Sequence, residues 1–291
     1  MKNLTGAQAE HFLDKGYVKI PQCFDRQLAD EWRAFAFERL GYKPDDPSTW
    51  TEARVHQPRM NLVDVHDFAP VAYGAICDVM GGEQRLATPL NWGDGFIINF
   101  NVRADEPWQP PSAEAPGWHK DGDWFRHFLD TPEQGLLTIV LWSDIEPESG
   151  GTFVATDSVA PVARFLRDRP EGCHPAAVRF GDLIGECVHF EEVTGQVGDV
   201  FLLHPYLLHA ASNNPSGRPR FITNPPVSLR QPMCFDRPDD DYSLVERAVL
   251  QGLGVDRLDF RITGERERVI PEREQRQKKM LDEQKARLGV S

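Results

Sequence analysis

Apolar and polar positions change their rhythm once along this chain. Up to about residue 85 the apolar residues recur at helical spacing. Thr5 is placed to cap a short helix running to about Lys15, and Tyr17 to Ile20 reads as a strand. Asp25 to Leu40 is an amphipathic helix, and Asp67 to Met80 is another, stopped by Gly81-Gly82. Between them, residues 41–60 are polar and rich in proline and read as a surface loop. From about residue 86 short β-rich runs alternate with turn signals: Gly95 to Val102, Leu136 to Trp142, Thr152 to Thr156 and Val197 to Leu203. That pattern predicts a mainly β core of jelly-roll or cupin type. There is no internal repeat. The expectation is one domain over 1–291, with a helical flank (1–85), a β core (86–230) and a C-terminal extension (231–291).

Three stretches fall outside the regular pattern. Arg103 to Gly117 is rich in proline and glutamate. Residues 157–196 hold a helix, Val159 to Arg167, and then an irregular run. Either insertion suits a specificity loop at a barrel mouth or an ordinary surface connection. Glu265 to Leu288 is densely charged with a helical pattern, and is read as a solvated tail helix before a lid or an oligomerisation element.

Composition narrows the function classes. With 40% apolar residues, 17 Phe and 7 Trp in 291 residues, the chain can bury a substantial core. A net charge of −13 argues against a nucleic-acid partner. Met1 to Thr5 leads straight into a polar helix, unlike a signal peptide, and no apolar run approaches the roughly 18 residues of a membrane helix. Five scattered cysteines suit a reducing compartment, so a cytoplasmic protein acting on a small molecule is expected.

The chemistry concentrates at His119-Lys120-Asp121. Alternate residues of a strand face one side, so His119 and Asp121 project together and Lys120 turns away. A His-x-Asp pair joined by a distant histidine is the ligand set of a 2-His-1-carboxylate facial triad. Such a triad holds Fe(II) and leaves coordination positions for a co-substrate and O2. Two histidines, His204 and His209, share one later segment. Five apart in an extended strand they face opposite sides, so one of them completes the set. Arg220 begins the next strand. A permanently charged fork beside a metal suits a dicarboxylate such as 2-oxoglutarate, which chelates at one end and pairs with the guanidinium at the other.

Four ordered motifs carry a resemblance. They are Leu4-Thr5 through Gly16-Tyr17-Val18-Lys19-Ile20-Pro21, His119-Lys120-Asp121, Trp142 to Gly151, and Gly198-Asp199 through His204-Pro205-Tyr206-Leu207-Leu208-His209 to Arg220. Over about residues 4–228 the chain resembles the phytanoyl-CoA dioxygenase family of Fe(II)- and 2-oxoglutarate-dependent oxygenases, which includes ectoine hydroxylase. The resemblance implies a double-stranded β-helix, with His119, Asp121 and the second histidine of the pair, His209, as metal ligands. It also implies Arg220 as the 2-oxoglutarate anchor and Asn99 as a further contact to it. One position departs from the pattern. Where the family often has a serine two residues after the distal histidine, this chain has Ala211, so a hydroxyl from another strand, such as Thr138, is the expected replacement.

What the resemblance implies chemically is hydroxylation of an unactivated C–H, with O2 consumed and succinate and CO2 released. Related halogenases lack the carboxylate, and Asp121 fills it here. Desaturation or ring formation by the same fold, and a non-catalytic cupin-like metal-binding protein, are the competing readings. Trp118, Trp124, Phe125 and His127 flank the ligand pair as candidates for the substrate pocket, with core packing as the plainer role. The substrate is not legible. Arg164, Arg167 and Arg169 suit an anion or simply a solvated helix face.

Overall fold

The computed structural model of the chain describes residues 2–290. Helix α1 (Gly6–Lys15) begins at Thr5, whose side chain accepts from the Gln8 N–H while Gln8 reaches back to the cap. It ends at Gly16, φ +72°, where a Cβ would come within 2.7 Å of Leu207 Cδ1. Strand β1 (Tyr17–Ile20) and helix α2 (Arg26–Leu40, capped by Asp25) follow as the pattern predicts. Residues 41–60 are not simply a surface loop. They contain strand β2 (Arg54–His56), which is too short for a periodic signal and buries only Val55.

Strand β3 (Leu62–Asp64) leads into helices α3 (Val65–Phe68) and α4 (Pro70–Met80). The apolar pattern predicts one helix over Asp67 to Met80. The break falls at Ala69, φ −136°, because Pro70 disfavours helical backbone before it. The β region comprises β4 (Asn91–Gly93), β5 (Ile97–Asn99), β6 (Leu136–Leu141) and β7 (Thr152–Ala155). After helix α5 (Val159–Arg167) come β8 (Phe190–Val193), β9 (Val200–Leu203), β10 (His209–Ala211), β11 (Arg220–Thr223) and β12 (Pro226–Val227). Helix α6 (Leu244–Leu253) starts on a capping box of Ser243 and Glu246, and α7 (Glu272–Leu288) starts after Pro271. No helix among the described residues is long and apolar enough to cross a membrane.

The larger sheet runs β1-β9-β6-β11-β5-β2, with β12 also paired to β6; the smaller runs β10-β7-β8; β3 and β4 form a separate pair. Every pairing is antiparallel. Register across β2, β5 and β11 sets Arg54, Asn99 and Arg220 in one row, and His56, Ile97 and Ile222 in the next. Phe221 faces the other way. It packs on Phe37 of α2 (ring centroids 5.6 Å) and on Phe96 (5.4 Å). Trp142, fully buried, stacks on Trp32 of α2 at 4.9 Å. Burying each such side chain contributes roughly 1.5–3 kcal/mol, so α2 covers one face of the larger sheet and leaves the other for the site.

Helix α7 is not the free tail its charge suggests. It packs along α2, where Gln284, 2% exposed, accepts from the Arg39 guanidinium at 2.9 Å.

Candidate active site

His119 and His209 are joined through their main chains. Each N–H donates to the other's carbonyl at 3.0 Å, an isolated antiparallel bridge that ties the segment of His119 to the start of β10. Paired residues in such a bridge face the same side, and the imidazole centroids lie 4.3 Å apart. Asp121, two residues on, returns to that side. Its Oδ1 is 3.6 Å from His119 Nε2 and its Oδ2 is 3.6 Å from His209 Nε2. One atom from each of the three lies within 4.8 Å of the others. His209 is buried, whereas His119 is half exposed.

The tautomers follow from the partners. His119 Nδ1 lies 2.8 Å from the Gly117 carbonyl, and His209 Nδ1 lies 3.1 Å from that of Leu207. A carbonyl can only accept, so each Nδ1 carries the proton and each Nε2 lone pair is free for a metal. Asn224 Nδ2 donates to Asp121 Oδ2 at 2.7 Å. Burial raises the Asp121 carboxyl, but when the two imidazoles beside it are protonated, His209 above all, their attraction outweighs burial and holds the group well below the usual carboxylate range. His204, fully buried, is occupied elsewhere: its Nε2 lies 3.2 Å from the Val245 carbonyl and its Nδ1 accepts from the Tyr206 N–H.

The three residues open into a cavity of about 560 Å³. Arg220 lines it from β11, 2% exposed. Its Nε donates to the Gly150 carbonyl at 2.9 Å, but its buried Nη1 has no partner. Burial, and then the charge of Arg54, pushes the guanidinium pKa down to about 10, so it remains charged near neutral pH. An unsatisfied buried guanidinium group is costly unless something fills the space before it. The donor set and this orphaned fork both suit a metal-chelating dicarboxylate.

Other expected site residues are placed differently. Asn99 is spent on the backbone, donating to the Ser212 carbonyl and accepting from the Val102 N–H, and does not line the cavity. Thr138 lies on the opposite face of β6 from the cavity-lining Ile139 and donates to the Pro225 carbonyl at 2.7 Å. Thr152 pairs with Ala211 across β7 and β10 and lines the cavity, which sets a hydroxyl beside the Ala211 departure. Trp124 lines it as well. Trp118 and His127 instead line a second cavity of about 460 Å³ that shares His119, Lys120, Gly122 and Asp123 with the first. Phe125 is packed inside against His127, at 4.7 Å between centroids.

Lys120 turns away from the ligand pair, as alternation predicts. Its ammonium contacts His127 Nδ1 at 3.0 Å, lies over Phe125 and Phe180, and burial lowers its pKa to about 7. Residues that pattern reading passed over also line the main cavity: Arg54, Arg59, Thr152, Asn224 and, from α7, Arg273 and Gln277. A second group, Asp64, His66 and Asp67, also has atoms within 4.8 Å of one another, but it lies at the surface with Asp64 capping α3.

Comparison with known proteins gives the family. The chain is 23% identical over 226 residues to a protein of Stutzerimonas stutzeri named probable alpha-ketoglutarate-dependent hypophosphite dioxygenase, covering 74% of this chain and 76% of that one. Among solved structures it is similar to the non-heme alpha ketoglutarate dependent carbocyclase SnoK from nogalamycin biosynthesis (16% identity, 78% and 85% of the two chains, TM-score 0.45). It is also similar to HygX from Streptomyces hygroscopicus with nickel and 2-oxoglutarate bound (18% identity, 76% and 85%, TM-score 0.43). The family model for phytanoyl-CoA dioxygenase matches residues 12–222. By that match the chain belongs to the phytanoyl-CoA dioxygenase family and is an oxidoreductase, a dioxygenase whose cofactors are iron and 2-oxoglutarate.

Proposed function

We propose that the protein hydroxylates an unactivated C–H bond of a small molecule. His119, Asp121 and His209 would hold Fe(II), and Arg220 would hold the distal carboxylate of 2-oxoglutarate. The observation that carries this reading is the buried, unpartnered Arg220 Nη1 in the wall of the cavity that gathers the three ligand atoms. On this reading the two larger sheets are the walls of a double-stranded β-helix with the ligands at its mouth.

Iron, when bound, supplies the activation of O2 and the oxidative decarboxylation of 2-oxoglutarate to succinate and CO2. The chain supplies position. The Gly117 and Leu207 carbonyls keep both Nε2 atoms deprotonated. Asn224 orients the carboxylate, and Thr152 offers the second donor for the co-substrate where Ala211 has none. Ile139 and Ile222 give the cavity an apolar side. Asp121 occupies the position that a halide would need, which favours oxygen transfer.

Anaerobic addition of Fe(II) and then 2-oxoglutarate should produce a visible charge-transfer band requiring both, weakened in Arg220→Ala and lost or altered in Asp121→Ala. His119→Ala should abolish 2-oxoglutarate turnover. Folded wild-type protein that binds iron yet shows no band would overturn the reading in favour of a binding protein. Succinate release then serves a substrate screen, in which hypophosphite, named for the S. stutzeri relative, is one member. Product analysis separates hydroxylation from desaturation or ring formation.

A further inference from the structure

We propose that the substrate is an anion, received by a wall of two arginines, Arg54 and Arg59, in the same cavity as the metal ligands. This rests on the function proposed above.

Both arginines line the cavity, and neither makes an ion pair or side-chain hydrogen bond among the described residues. Arg179, Arg247, Arg268 and Arg276 likewise make no ion pair or side-chain hydrogen bond among the described residues, but none of them lines this cavity. The other cations nearby are engaged. Arg273 is bound by both oxygens of Asp123, at 2.6 and 2.8 Å, which also neutralises the one further carboxylate lining the cavity besides Asp121. Three of the four arginines of the 157–196 insertion are engaged too, and the fourth, Arg179, lines the second cavity and not this one. Arg164 pairs with Glu186, Arg167 with Asp168, and Arg169 lies over Phe165.

Position gives the two free guanidiniums a purpose. Arg54 stands in the row with Asn99 and Arg220, two strands away, so their Cα atoms are roughly 10 Å apart. Its charge reaches Arg220 strongly enough to lower that group's pKa. Arg59 lies across Gly93 and Gly95. A Cβ on Gly95 would come 3.2 Å from Arg59 Cβ, and one on Gly93 3.2 Å from Arg59 Cδ, so these glycines make room for the stem. The segment carrying Arg59 is tied down on both sides. Arg39 donates to the Pro58 carbonyl, and Asp94 accepts from the N–H groups of Met60 (2.6 Å) and Asn61 (2.9 Å). The backbone under Arg59 is therefore held in place, while both guanidinium heads stay unpaired.

Charge accounting favours the same ligand class. A ferrous ion, the Asp121 carboxylate, dianionic 2-oxoglutarate and Arg220 cancel. Arg54 and Arg59 are left over, facing a cavity that still has room. A carboxylate, phosphate or similar oxyanion head accepts paired hydrogen bonds from a guanidinium and fits this surplus.

The test uses the anaerobic iron and 2-oxoglutarate holoenzyme, with the charge-transfer band confirming co-substrate occupancy. Calorimetry compares straight-chain carboxylates from acetate to octanoate, and the matched phosphonates, with alcohols and amines of equal length. The best anion should bind about tenfold or more tighter than its neutral and cationic partners while the band persists. The double variant Arg54→Gln/Arg59→Gln should lose that preference. Both side chains are exposed and unpaired, so folding should survive, and circular dichroism checks it. Equal binding of the three headgroups, or an anion preference unchanged in the variant, overturns the proposal. Absence of the band in wild type before any probe is added instead sinks the underlying functional reading.

Discussion

Arg39 of α2 and Asp94, in the turn between β4 and β5, form an ion pair sealed from solvent, with 3.0 Å between Nη1 and Oδ2. The pair is a junction. Arg39 also binds Gln284 of α7 and the Pro58 carbonyl, and Asp94 binds three donors of residues 60 and 61. Removing one partner leaves a buried charge unmatched. Arg39→Ala should therefore lower stability by about 3–5 kcal/mol in urea unfolding, and an apolar double replacement, Arg39→Met with Asp94→Leu, should cost less. Equal losses would mean that the hydrogen bonds to the backbone, and not the charge, dominate.

Arg220 should govern affinity for 2-oxoglutarate. Loss of a charge-assisted bidentate contact, about 1.5–3 kcal/mol, corresponds to a rise in KM of about ten- to a hundredfold in Arg220→Gln. Thr152→Val should raise KM by a smaller factor. If Thr138→Val raises it instead, the hydroxyl at the Ala211 departure comes from the far face of β6, contrary to the placement of Thr138 against Pro225.

Asn224 should tune the metal without touching it. Its amide holds Asp121 Oδ2 at 2.7 Å. Partners that orient a ligand are typically worth about ten- to a hundredfold in metal affinity, and Asn224→Ala should weaken Fe(II) binding by that order while the fold is kept. An unchanged metal titration would show that the two histidines alone orient the carboxylate.

Acid should loosen the join between α6 and the rest through Glu246. This carboxylate is 3% exposed and binds Arg85, Arg237 and the N–H groups of Cys234 and Ser243. Burial pushes its pKa up, but Arg237 and the two N–H groups pull further, and the net shift is downward. A carboxyl whose folded pKa lies below its unfolded value, about 4.3, contributes stability that is complete above the unfolded value. That contribution is lost as pH falls through the folded pKa. Melting temperature should thus drop more steeply below about pH 5 in wild type than in Glu246→Gln. Parallel curves would remove Glu246 from the account.

The part of the site carried by local alternation was readable along the chain. His119 and Asp121 share a face because they are two apart, and the structure brings them to His209 and Arg220. What spacing does not place depends on non-local pairing. Thr138 and Ile139 differ by one residue, and that step decides which face of β6 a side chain takes. Thr152 reaches Ala211 only through the β7–β10 register. Arg54 sits on a three-residue strand with no periodicity, and α7 is anchored by little more than a buried Gln284 in an otherwise charged helix. Such contacts leave no trace in spacing or composition.

The main-chain bridge between His119 and His209 is made of bonds that need no metal. Both rings are also oriented by carbonyls of their own segments. The main chain and these carbonyls by themselves therefore set the spacing that an ion would otherwise have to impose. A rigid template of two imidazoles and a carboxylate offers little means of refusing a competing divalent ion by rearrangement, and intrinsic affinity rises from Mn(II) through Fe(II) to Ni(II). Loading with iron then becomes a matter of which ion the cell makes available when the chain folds, and protein purified without control of metal should carry a mixture.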